Sequence, residues 1–260
     1  MLKVDIQAGV ARVTLDRPEV RNAFDDALIR ELQSCFQSLG ANAAVRAVVL
    51  AGNGPAFCAG ADLNWMKRMA GYDYEENLAD AQALATMLAT LDRMPKPTIA
   101  RVHGPAFAGG TGLVAACDIA VGTPEAKFCF SEAKLGLSPA TISPYVIRAI
   151  GERMAQRYFL TAEVFDAGEA YRIGMLSVLV PAPELDSAIE SLVKHLVAGG
   201  PEAHLKIKDL IRAVSRRQID EPLSAETAKR IAEIRVSPEG REGIASFLEK
   251  RKASWCSPKS

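Results

Sequence analysis

The sequence predicts an α/β protein that ends in a helical region. Short apolar runs alternate with amphipathic stretches of helical period through the first 130 residues, the pattern of layered strands and helices. Beyond residue 150, helical patterns follow one another with a single strand-like run among them. The 260-residue chain is 49% apolar and 24% charged, the composition of a packed globular protein.

Residues 2–6 and 11–16 alternate in polarity about Gly9, which predicts a hairpin with one buried face. Arg17-Pro18 ends its second strand. From Asp25 onward, Leu28, Leu32, Cys35, Phe36 and Leu39 recur at helical spacing, and Gly40 reads as the stop. Residues 47–51 form an unbroken apolar run, a strand covered on both faces, and 52–55 a loop. A helix over 75–94 ends at Pro95 and Pro97. A strand over 98–102 and a turn at 103–105 follow. A buried helix starts near Gly109 and runs to Cys117, with strands at 118–121 and 126–130 behind it. Helices are expected over 149–161, 167–173, 185–198, 202–215 and 223–234, with a strand at 178–180. These elements divide into an α/β core over 1–190 and a helical region over 191–260.

Composition excludes several function classes. Lys plus Arg and Asp plus Glu both number 31, so the chain lacks the basic excess of a nucleic-acid binder. Lys67-Arg68 and the basic residues between 206 and 217 are the only features that would motivate an RNA-binding or non-catalytic role. On helices of a neutral chain they read as a solvated face. Cysteines at 35, 58, 117, 129 and 256 form no CxxC pair, and His103, His195 and His204 stand apart, so neither a disulfide framework nor a metal site is expected. No stretch approaches the roughly 18 apolar residues of a membrane span, and the N-terminus carries no apolar leader. The expectation is a cytoplasmic protein with no membrane partner. Residues 104–112 are Gly-rich, but no GK[ST] follows, and no serine sits in GxSxG.

Two small-residue loops admit close backbone approach: Phe57-Cys58-Ala59-Gly60-Ala61-Asp62-Leu63, and Ala108-Gly109-Gly110-Thr111-Gly112 at the start of an apolar helix. Two amides converging on one oxygen would form an oxyanion hole, and a helix N-terminus supplies such donors. The alternative is that the glycines serve only tight turns and packing. Glu132 follows an apolar strand. It is either a partly desolvated carboxylate suited to proton transfer or a surface group paired with Lys134 or an arginine.

The stretches DRPEVRNAF (16–24), FCAGADL (57–63), HGPAFAGGTGLVAACDIAV (103–121), FSEAKLGL (130–137) and SPEGREGIASFLEKRKA (237–253) together resemble the enoyl-CoA hydratase/isomerase family, the crotonases, over essentially the whole chain. ADLNWMKRMA and LSPATISPYVIRAIGERMAQRYFLTAE resemble in particular the bacterial methylglutaconyl-CoA hydratases of leucine degradation. The resemblance implies a spiral of ββα units with a C-terminal helical trimerisation region, assembled as a homotrimer or a dimer of trimers. It implies an acyl-CoA thioester substrate and no separate cofactor, coenzyme A being part of the substrate. The amides of Ala61 and Gly109 would hold the thioester carbonyl, and Glu132 would be the catalytic acid and base. Residues Ala59, Gly60, Ala61, Asp62 and Leu63 would line the adenine pocket, and Gly109 and Gly112 would lie against the substrate. Arg21 would meet a phosphate, and Phe247 and Lys250 would reach the nucleotide of a neighbouring subunit.

One departure stands out. Hydratases of the family pair two glutamates, and the first position is Gly112 here. Ser131, Ser143 and an ordered water are the alternatives for the place it leaves. The single acid admits hydration, isomerisation or hydratase-lyase chemistry. The turn at 138–144 also departs from the family pattern, and there Ser143, with Arg148 and Lys67, is a candidate for binding a distal substrate carboxylate. Trp65, Met66 and Met69 read as core.

Overall fold

The computed structural model describes residues 1–256. Strands β1 (Leu2–Gln7) and β2 (Val10–Leu15) form the expected hairpin. Helix α1 (Asp26–Ala41) leads to β3 (Ala47–Gly52), which pairs in parallel with β2. Helices α2 (Leu63–Met69) and α3 (Tyr74–Asp92) precede β4 (Thr98–Val102), which lies parallel to β3. After β5 (Ala106–Phe107) and α4 (Gly109–Ala116), β6 (Ile119–Gly122) joins the same sheet. Then come β7 (Lys127–Cys129), α5 (Ser143–Thr161), β8 (Phe165–Asp166), α6 (Ala167–Ile173) and β9 (Val178–Leu179). Helices α7 (Leu185–Ala198), α8 (Pro201–Val214), α9 (Glu221–Val236) and α10 (Pro238–Leu248) follow. The main sheet has the order β1-β2-β3-β4-β6-β9, and a small second sheet has the order β5-β7-β8.

Alternation along the strands builds two cores. Val48 and Leu50 of β3 face a large apolar cluster shared with α1, α3, α4 and α5, whereas Val49 faces a smaller one with Ile99, Val121 and, from α7, Leu185 and Ile189. The unbroken apolar run of β3 is thus explained: both faces of the strand are covered. A buried cation fastens the C-terminal helices to this layer. Lys208 of α8 donates to Asp118 Oδ2 at 2.7 Å and to the Lys96 carbonyl at 3.2 Å. The same Asp118 oxygen accepts from Thr98 N and Oγ1 at 2.8 and 2.9 Å.

The structure differs from several expectations. The hairpin does not bury one face of β1: Val4 and Ile6 are 47% and 43% exposed, because β1 is an edge strand and only Leu2 reaches the core. Gly40 does not stop α1, which runs on to Ala41 and is closed by Asn42. Helix α5 starts at Ser143 rather than near 149, with Pro144 in its first turn, and bends at Gly151, whose φ of 76° is not helical. Helices α2 and α10 and the two-residue strands β5 and β8 were not expected. Among the described residues, no helix is long and apolar enough to cross a membrane.

Candidate active site

The first candidate donor is held by a bridge between two loops. Phe24 pairs in parallel with Ala61. Its N–H donates to the Gly60 carbonyl at 2.7 Å, and its carbonyl accepts from Asp62 N at 2.6 Å. In an extended chain successive peptide groups alternate sides, so Ala61 turns its own N–H away from Phe24. That N–H donates to no acceptor among the described residues.

Three side chains lock this bridge. Asn22, fully buried with a φ of 57°, donates from Nδ2 to the carbonyls of Asn53 and Ala56 at 2.9 Å and of Phe57 at 3.2 Å. Its Oδ1 accepts from Arg17 N at 2.9 Å. The Arg17 guanidinium donates to the Ala23 carbonyl at 3.0 Å, to Asp25 at 2.8 Å and to Asp62 at 3.2 Å. Asp62 caps α2, accepting from Asn64 N at 2.8 Å and Trp65 N at 3.3 Å.

The second candidate donor opens α4. A bridge between Cys58 and Ala106 lays the 57–61 loop beside the chain entering this helix, with Phe107 N donating to the Cys58 carbonyl at 2.9 Å. Gly110 is required there: a methyl group on it would lie 2.3 Å from the Cys58 carbonyl oxygen. Ala108 adopts φ 46° and ψ −117°, a strained conformation for a residue with a Cβ, and is pinned through its N–H to the Cys129 carbonyl at 2.8 Å. The first bond into the helix runs from Gly112 N to the Ala108 carbonyl at 3.2 Å. The Gly109 N–H therefore stands at the positive end of the helix and finds no acceptor among the described residues.

Glu132 sits on a 3₁₀ turn over Ser131–Leu135, just after β7. Its carbonyl accepts from Leu137 N at 3.0 Å, which closes the turn. Its Oε2 is buried without a hydrogen-bond partner, and it forms no ion pair with Lys134 or any arginine among the described residues. Desolvation pushes its pKa above the ordinary glutamate value. The surface ion-pair alternative thus fails, and the desolvated carboxylate remains.

No gap is left at Gly112. A methyl group built there would lie 2.3 Å from Ile142 Cγ2 and 2.9 Å from Ile142 Cβ, and Ile142 is 1% exposed. Ile142 therefore packs directly against the position where a second acid would start. The Ser143 hydroxyl donates instead to the Ala140 carbonyl at 2.8 Å. Arg148 is committed to Asp92 at 2.5 Å, whereas Lys67 is exposed and makes no ion pair among the described residues.

The other expected ligands fall into two groups. Arg21, Ala59, Gly60, Ala61 and Leu63 come together on the bridged loops, where the Arg21 carbonyl accepts from Ala59 N at 3.0 Å and Leu63 is 73% exposed. Asp62 is among them, but its carboxylate is consumed by Arg17 and the α2 cap. Phe247, 81% exposed, and Lys250 stand on the C-terminal helical region, apart from these loops. Trp65 is core, as expected, with its Nε1 donating to Asp80 at 3.2 Å. Cys58 is a fully buried free thiol, and burial pushes its pKa up to about 12. A groove of about 580 Å³ lies between α8 and α9, lined by Ile207, Leu210, Val214, Ile231 and Ile234, and includes none of the candidate site residues. Arg17, Asn22, Phe24 and Ile142 were missed in the sequence. Asn22 and Arg17 lie inside a stretch that carried the resemblance, but nothing in residue type announced their partners.

Residues 5–258 match the family model described as enoyl-CoA hydratase/isomerase. A crystal structure of an enoyl-CoA hydratase from Shewanella pealeana superposes with a TM-score of 0.95 at 43% identity, covering 98% of this chain and 95% of that one. A structure from Legionella pneumophila described under the name crotonase gives a TM-score of 0.93 at 46% identity, covering 98% of both chains. An enoyl-CoA hydratase of Alternaria alternata is 35% identical over 249 residues, 95% of this chain and 80% of that protein. The fold is therefore the crotonase-like α/β spiral with C-terminal helices.

Proposed function

Because the chain belongs to the enoyl-CoA hydratase/isomerase family, we propose that it adds water across the 2,3-double bond of an enoyl-CoA thioester with Glu132 as its single acid and base. The observation that carries this reading is the buried, unpartnered Oε2 of Glu132, on a carboxylate that desolvation makes more basic. Glu132 takes a proton from water as the water oxygen bonds to C3. The electron pair of the double bond moves into the thioester as an enolate. The amides of Ala61 and Gly109 hold the enolate oxygen, and their bonds strengthen as its charge grows. The protonated Glu132 then returns its proton to C2, which restores the thioester and the resting carboxylate. No group beyond the CoA substrate is needed.

The substrate we assign is a branched glutaconyl-type thioester, on the likeness of residues 61–70 and 137–163 to methylglutaconyl-CoA hydratases. Its distal carboxylate needs a cation. With Arg148 engaged by Asp92, Lys67 on α2 is the candidate. Arg21 and the 59–63 loop are assigned to the CoA moiety. Phe247 and Lys250 are assigned to the nucleotide of a neighbouring subunit in a homotrimer or dimer of trimers. The exposed Ile207, Ile211, Ile231, Val236 and Leu248 of the C-terminal helices support such an assembly, and light scattering is expected to return three or six chain masses.

Loss of enoyl-thioester absorbance on a panel of CoA thioesters tests the activity. Glu132→Gln is expected to lower kcat at least about 100-fold; a variant with full activity overturns the assignment. The presence of one acid, with Ile142 packed against the position where another would start, also fits an isomerase that moves a proton between two carbons. The products separate the readings, since isomerisation from unlabelled substrate in oxygen-18 water yields no labelled hydroxyacyl thioester.

A further inference from the structure

We infer that Phe24 is the positioning residue that sets the spacing between the Ala61 and Gly109 amides, an inference that rests on the proposed thioester site. Phe24 touches the supports of both donors, alongside the Cys58–Ala106 bridge. Its main chain holds residues 60 and 62 at 2.7 and 2.6 Å, which turns the Ala61 N–H outward. Its ring abuts the first residue of α4: a methyl group on Gly109 would lie 2.6 Å from Phe24 Cε2 and 2.9 Å from Cδ2. The ring is 1% exposed and so cannot swing aside. It acts as a spacer, with the loop carrying one amide bonded to its backbone and the helix carrying the other resting on its edge. Arg17 stiffens the arrangement by gripping the Ala23 carbonyl and Asp62 on either side of the bridge.

Spacing matters because both donors must reach one oxygen at about 2.7–3.1 Å, and a displacement near 1 Å costs roughly 100-fold in rate. Phe24→Leu keeps the backbone bridge and removes the ring, and Phe24→Met keeps more of the volume should the leucine variant fail to fold. The probe is butyryl-CoA labelled with carbon-13 at the thioester carbonyl, followed by infrared difference spectroscopy. In the unaltered protein the bound carbonyl band is expected below its frequency in water. In folded Phe24 variants it is expected to return toward the free value, with kcat on an enoyl-CoA lowered about 10- to 100-fold and KM changed less than about threefold. Gly109→Ala, which drives α4 off the ring, is expected to cause the same losses, and adding Phe24→Leu to restore part of them. An unchanged band and kcat in a Phe24 variant with a lowered melting temperature would show a mere core filler and overturn the inference. An unshifted band in the unaltered protein would overturn both this inference and the proposed carbonyl site. Full turnover by Glu132→Gln with the band still shifted would remove the acid–base assignment alone, and loss of that shift in Phe24→Leu would still support the spacer.

Discussion

The residue proposed as the acid and base, Glu132, is destabilising to the fold. A carboxylate whose folded pKa is raised holds its proton more tightly in the native than in the unfolded chain. Stability therefore falls as pH rises from the ordinary glutamate value of 4.5 through the raised one, and stays lower above it. A neutral Gln at 132 escapes this cost. Glu132→Gln is expected to melt at a higher temperature than the unaltered protein at pH 7, and the advantage is expected to vanish below pH 4.5, where both side chains are neutral. Melting curves across that range check it, and equal melting temperatures at pH 7 would contradict the desolvated environment. Catalysis follows the opposite sign. The proposed mechanism requires the base form, so kcat is expected to fall as pH drops through the raised value.

At the scale of elements, α4 and the start of α5 are fitted to each other through Gly112 and Ile142. Gly112→Ala is expected to cost about 1–3 kcal/mol by overpacking, and Ile142→Ala in the same chain to relieve most of it. Thermal denaturation of the two single variants and the double variant measures the coupling. This contact also marks where reading the sequence ends. The strands β3 and β6 were legible because strands covered on both faces leave unbroken apolar runs, and β4 was legible from its bounds, Pro97 before it and the turn at 103–105 after it. The helices α1, α3 and α7 were legible from their period. The strands β5 and β8 were not, since two residues carry no period. Helix α10 had a visible start in Ser237-Pro238, where Ser237 Oγ accepts from Gly240 N at 3.0 Å, but only three apolar residues of helical spacing follow, Ile244, Phe247 and Leu248, and all are exposed. The candidate site followed the same division. Glu132, Gly109 and Ala61 lay in recognisable stretches. The orientation of the Ala61 amide and the isoleucine against Gly112 depend on residues about 30 or more positions away in the chain, and no local signal encodes them.

For the whole molecule, one buried ammonium helps to join the C-terminal helices to the sheet. Lys208 is 9% exposed and crosses from α8 to Asp118 at the root of β6. Lys208→Met keeps the length and apolar stem but leaves Asp118 without its counter-charge. A loss of about 3 kcal/mol is expected, seen as a lower melting temperature and earlier proteolysis between α8 and α9. Unchanged melting would assign the joint to the apolar contacts of α7. The buried Cys58 lies on the loop that carries Ala61 and packs against Gly110, next to Gly109. Its sulfur is screened and almost wholly protonated at neutral pH, so a thiol reagent reaches it only when those loops part. With Cys35 and Cys256 replaced by serine and the buried Cys117 and Cys129 by alanine, the labelling rate at Cys58 becomes a native stopwatch for how often these two loops part, and bound thioester is expected to slow its ticking.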